Sequence, residues 1–78
     1  MKYDFRKLRG KITEVFGKQE AFARALGLST HSLSLKLNNV RYFKPNEISK
    51  AIELLGLSLT DIPEYFFTPE VQENKLSD

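Results

Sequence analysis

Seventy-eight residues make one small domain, near the size at which a single hydrophobic core is only just sufficient. The absence of cysteine excludes disulfides and thiolate metal sites and suits a cytoplasmic protein. No apolar run approaches the ~20 residues that span a bilayer, and the basic opening MKYDFRKLRG lacks the apolar stretch of a signal peptide. The formal net charge of +2 hides an asymmetry. Residues 1–50 carry eleven Lys and Arg against four acids, a net of +7, whereas residues 51–78 carry one Lys against six acids, a net of −5. A basic N-terminal part suits a polyanion, since phosphate neutralisation supplies most non-specific DNA affinity. An ordinary solvated surface would give the same count at about even odds.

The apolar residues recur at helical spacing, and strand patterns are nearly absent. In the first helix Phe5, Leu8, Ile12, Val15 and Phe16 share one stripe. Asp4 is placed to cap it, Tyr3 and Leu8 to staple its entry, and Gly17 to end it. Gly10 inside it costs about 1 kcal/mol relative to Ala and marks either a close crossing or a tolerated defect. A second helix covers about Lys18 to Leu26, with Phe22 and Leu26 inward. Gly27 supplies the positive φ of a tight turn. Ser29 caps a third helix that runs to about Asn38, and Asn39 is its expected left-handed terminator.

Val40 to Lys44 reads as a loop, and Pro45 fits the first turn of a fourth helix. Ile48, Ala51, Ile52 and Leu55 make its inward stripe, and Gly56 ends it. Ser58 and Asp61 bracket a last short helical segment. The expected fold is therefore all-α, a bundle of about five short helices over residues 1–67. A polar tail without periodicity, expected to be mobile, covers residues 68–78.

The segment Gln19 to Asn38 carries the functional signal. Two short helices meet at the small residue Ala23, and the chain bends at Gly27. At about 100° per residue, Leu33 and Leu37 fall on one side of the third helix, while His31, Ser34, Leu35 and Asn38 face outward. A helix of this kind fits the DNA major groove N-terminus first. Thr30 and Ser34 can exchange hydrogen bonds with base edges, and His31 can donate to a purine. Leu35 suits a thymine methyl, although a lone exposed leucine is common. Gln19 and Lys18, at the start of the second helix, are candidate phosphate contacts. Lys36, Asn38, Arg41 and Lys44 flank the third helix and complete that set. Each alone is more often a solvated surface residue. His31 is the single histidine, so a metal site is not expected. No cysteine, second histidine or carboxylate constellation at catalytic spacing and no Gly-rich phosphate loop appears, so neither an enzyme nor a cofactor nor a small-molecule substrate is expected.

Gln19, Phe22-Ala23, Leu26-Gly27, Ser29, Leu33 and Leu37-Asn38 together resemble the motif of the lambda-repressor-like family. The opening YDFRKLRGKI and the ending DIPEYFF look like small Cro-like regulators of phages and prophages of Gram-positive bacteria. The resemblance implies a five-helix fold, cytoplasmic action and binding to a double-stranded operator, usually as a symmetric dimer. It maps base contacts onto Thr30, His31 and Leu35, with Ser34 beside them, and a phosphate contact onto Gln19. Two residues depart from it: Asn39 stands where Gly is common, implying a slightly strained turn, and Lys36 stands where an apolar residue is common. The alternative is an antirepressor or modulator that acts by protein contact with a partner repressor. The aromatic run Tyr65-Phe66-Phe67 is the candidate partner or dimer contact for either reading, with core closure as its plainer explanation.

Overall fold

The computed structural model of the protein describes residues 2–71. Five α-helices follow in order: α1 (Arg6–Phe16), α2 (Gln19–Leu26), α3 (Thr30–Leu37), α4 (Pro45–Leu55) and α5 (Ile62–Phe66). A 3₁₀ turn at Leu59–Asp61 leads into α5. Among the described residues the sole β feature is an isolated antiparallel bridge between Tyr3 and Pro69. The fold is all-α, as the spacing of apolar residues predicts.

Local chemistry sets most of the boundaries. The Ser29 hydroxyl accepts from the Ser32 N–H at 3.0 Å and caps α3. Gly27 adopts a left-handed conformation, φ 84°, that lets α3 turn back against α2. At α4, Pro45 occupies the first turn and Glu47 reaches back to the Lys44 N–H at 2.9 Å. Asp61 does the same for the Ser58 N–H at 2.9 Å.

The first helix starts differently from expectation. Phe5 stands at the cap position, and Asp4 serves from one residue further back by accepting from the Arg6 N–H at 3.0 Å. The Arg6 guanidinium also grips Asp4 and holds its carboxyl down to about 2. Tyr3 is drawn into the bridge with Pro69, and its ring meets Phe5 and Phe67. Val15 is 45% exposed, so the core stripe of α1 is narrower than the sequence pattern implies. Gly10 has open space around its α-carbon, so no close helix crossing requires it.

The core lies where α1 packs on α2, α4 and α5, and α2 packs on α3. Leu8, Ile12, Phe22 and Leu33 are fully buried there, and Phe66 closes one end. Thr68 and Glu70, at the start of the expected tail, pair with the N-terminal segment. The Asp4 N–H donates to the Thr68 carbonyl at 2.7 Å, and the Glu70 N–H donates to the Lys2 carbonyl at 2.9 Å. Residues 72–78 of that tail lie outside the described residues.

Candidate interaction surface

Helix α3 offers its first turn to solvent. Thr30 and His31 are exposed, and Gln19 is half-buried at the start of α2. Lys18, Arg41 and Lys44 are exposed as well, and none of them forms an ion pair among the described residues. The second half of the outward face is already engaged. Asn38 Nδ2 donates to the Ser34 carbonyl at 2.8 Å and to the Ser34 hydroxyl at 3.2 Å. Asn38 Oδ1 accepts from Arg9 Nη2 at 3.2 Å, and the same nitrogen donates to the Leu37 carbonyl at 3.2 Å. Arg9 thus places a cation at the negative end of α3, a favourable site for one. Leu35 is half-buried, and its carbonyl accepts from the Val40 and Arg41 N–H groups.

Lys36 does not join a phosphate-binding set. It is only 6% exposed, and its ammonium lies 3.0 Å from a Glu47 carboxyl oxygen. Its Nζ also donates to the Tyr42 carbonyl at 3.2 Å. Burial pushes the Glu47 carboxyl up, but the Lys44 N–H and the Lys36 ammonium outweigh it and hold the group below the ordinary Glu range. An ionised pair with every strong partner in place is the physical reason a lysine occupies a position that is often apolar. The sequence hides this pair because its members lie on different helices.

Beside α3, the loop of residues 38–44, the N-terminal segment and the end of α5 enclose an aromatic cleft of about 30 Å³. Its rings meet edge to face: Tyr3 with Phe67 at 5.5 Å, Phe5 with Phe43 at 5.7 Å, and Phe43 with Phe66 at 5.3 Å. Around this rim Tyr42 is 71% exposed and Phe67 is 45% exposed, and Val40 on the same loop is 65% exposed. The run Tyr65-Phe66-Phe67 is divided by the fold. Phe66 is 2% exposed and belongs to the core, so it cannot serve as the partner or dimer contact the sequence suggests. Tyr65 is half-buried beside α1, where Lys7 Nζ sits 5.7 Å from its ring centre. Lys7 is also ion-paired with Glu64, which raises the lysine above its ordinary value. Phe67 alone of the three reaches the cleft rim with its ring exposed. Tyr3, Val40 and Tyr42 are additions. For Val40 and Tyr42 the signal in the sequence is large apolar side chains in a short loop, VRYFK, where no helical face requires them.

The fold and surface define a small all-helical protein with a helix-turn-helix and an adjacent exposed aromatic cleft. Residues 1–69 match the DUF739 family, described as "Protein of unknown function (DUF739)", and the chain belongs to that family. No curated protein matches it. Among solved structures, the chain is similar to the modulator of repression (MOR) of the temperate bacteriophage TP901-1 from Lactococcus lactis. The two are 50% identical, with a TM-score of 0.76, over 92% of this chain and 97% of the other. No helix among the described residues is long and apolar enough to cross a membrane.

Proposed function

We propose that this protein is a phage regulatory protein that modulates repression by docking on a repressor protein. The observation that carries the reading is the 50% identity, over nearly the whole of both chains, to a phage modulator of repression. The surface agrees with it. Val40, Tyr42 and Phe67 leave large apolar side chains exposed beside a cleft, and aromatic residues are enriched at protein contacts. Arg41 at the same rim adds a cation, and tyrosine and arginine are the residue types that dominate binding energy at interfaces. The reading includes action in the cytoplasm and no enzymatic role. Isothermal titration of the purified chain with the repressor encoded in the same locus tests it. Saturable heat with 1:1 stoichiometry in the absence of DNA is expected, and no heat at micromolar concentration overturns the reading.

A second reading keeps the lambda-repressor-like, Cro-like role, in which α3 enters the major groove of an operator. It is favoured by the exposure of Thr30 and His31 together with the unpaired cations Lys18, Arg41 and Lys44. A homodimer through Phe67 belongs to this reading, because two half-sites would need recognition helices about 34 Å apart. Sedimentation of the chain with and without operator DNA separates the two readings. A monomer in both cases removes the dimer.

A further inference from the structure

Lys36 and Glu47 are the buried charged side chains among the described residues. A buried ion pair is weak as a source of stability, because apolar residues of similar size often serve as well or better. What distinguishes this pair is the backbone it holds. Lys36 Nζ donates to the Tyr42 carbonyl at 3.2 Å, and Glu47 Oε1 accepts from the Lys44 N–H at 2.9 Å. Both groups belong to the loop that joins α3 to α4. Two further bonds, from the Val40 and Arg41 N–H groups to the Leu35 carbonyl at 2.8 and 3.2 Å, fix its near side. The loop is therefore tethered on both sides of Tyr42, yet Val40 and Tyr42 point into water.

We propose that Lys36 and Glu47 are positioning residues for partner binding. They hold the α3–α4 loop in the conformation that offers Val40 and Tyr42 to the repressor protein, so the loop is ordered before contact. This rests on the modulator reading above and assigns the pair a role within it. Neither residue touches the partner. Their effect is to remove the ordering cost that a free loop would bring to the interface. When only a fraction of loops is competent, apparent affinity falls by that fraction.

The test uses the full chain with two double variants, Lys36→Met with Glu47→Leu, and Lys36→Met with Glu47→Gln. Both remove the charges together, so neither strands a buried ion. The second keeps an acceptor for the Lys44 N–H and isolates the Tyr42 tether. Backbone ¹⁵N order parameters at residues 41–43 read the loop, and titration with the repressor of the same locus reads binding. The expected result is a folded variant with lower order parameters at those residues and about tenfold weaker binding. A loosened loop that binds as tightly as the parent overturns the positioning role and leaves the modulator reading standing. Unchanged order parameters overturn it as well. Failure of the parent chain to bind removes the modulator reading and this role with it.

Discussion

The Asn39 side-chain amide is bonded to both backbone polar groups of Tyr3. Its Oδ1 accepts from the Tyr3 N–H at 2.8 Å, and its Nδ2 donates to the Tyr3 carbonyl at 3.0 Å. Asn39 is the non-glycine residue with positive φ, 65°, among those described. On its other edge the Tyr3 segment pairs with residues 68–70. The amide thus imitates a neighbouring strand and leaves no open edge at Tyr3. Pro69 opposite has no N–H to leave unpaired. Asn rather than Gly at this helix terminator is explained by the clasp, since Gly would fit the left-handed turn but could not hold Tyr3.

Replacing Asn39 separates these two contributions. Asn39→Gly loses two hydrogen bonds, each worth about 0.5–1.5 kcal/mol net, but relieves the left-handed backbone. Asn39→Ala loses the same bonds and keeps the β-carbon whose left-handed strain, about 1–2 kcal/mol, only Gly relieves. Urea unfolding should rank stability as parent, then Gly, then Ala, with Ala lower than Gly by about 1 kcal/mol or more. Equal stability of Gly and Ala would count against a left-handed Asn39.

The Lys36–Glu47 pair gives a signed pH dependence. The folded protein holds the Glu47 carboxyl below its usual value of 4.5, through the Lys44 N–H and Lys36 acting against burial. A depressed carboxylate stabilises the fold at pH values above its unfolded pKa, and that contribution is lost as pH falls through the folded value. Asp4, held down to about 2 by Arg6, acts in the same direction. Melting temperature should therefore be flat near neutrality and fall below about pH 4.5. Glu47→Leu alone strands the buried ammonium and should cost about 3–5 kcal/mol at pH 7. Adding Lys36→Met should recover most of that loss and flatten the acid limb, as followed by circular dichroism.

At Tyr42 binding and folding should come apart. The residue is 71% exposed, so Tyr42→Ala should change stability by no more than about 0.5 kcal/mol. As an aromatic anchor at the cleft rim it should weaken the repressor complex by about 2 kcal/mol, close to thirtyfold. Titration calorimetry and thermal melts on one preparation check both. Parallel losses in the two measurements would sink the assignment of Tyr42 as a contact.

How far the chain could be read before its structure depends on the range of each interaction. Leu33, Leu37 and Gly27 identified α3 and its turn because helix period and left-handed backbone are local properties. Helix period likewise sets His31 outward, and it is exposed; the same period sets Thr30 near the buried side, yet Thr30 is exposed at the start of α3. Lys36 reads as a surface cation in the sequence but is buried against Glu47 of α4, and no periodicity reports a contact between helices. Phe66 and Phe67 are adjacent in sequence and opposite in fate, one in the core and one at the rim. A five-residue helix is too short for spacing to tell them apart. Arg9 binds the end of α3, but in the sequence a cation on α1 looks like any solvated charge.

The bonding state of α3 limits what it can read in DNA. Direct readout needs side chains free to form paired hydrogen bonds with base edges, each good pair worth about 1–3 kcal/mol of discrimination. Ser34 and Asn38 are bonded to each other, and Asn38 is held again by Arg9. Opening that set to contact a base would forfeit the bonds that hold the end of α3. Thr30 and His31 remain, in the first turn of an eight-residue helix. Lys18, Arg41 and Lys44 are free to meet phosphates, which attract any sequence equally. The chain alone should therefore bind duplex DNA weakly and with less than about tenfold preference for an operator over random sequence. Raising salt should abolish that binding, and Arg41→Ala should flatten the salt dependence while leaving the preference unchanged. Fluorescence anisotropy with a candidate operator and a scrambled duplex at two salt concentrations measures all three. A preference of a hundredfold or more would show that α3 reads bases despite its internal bonds and would return the Cro-like reading to first place.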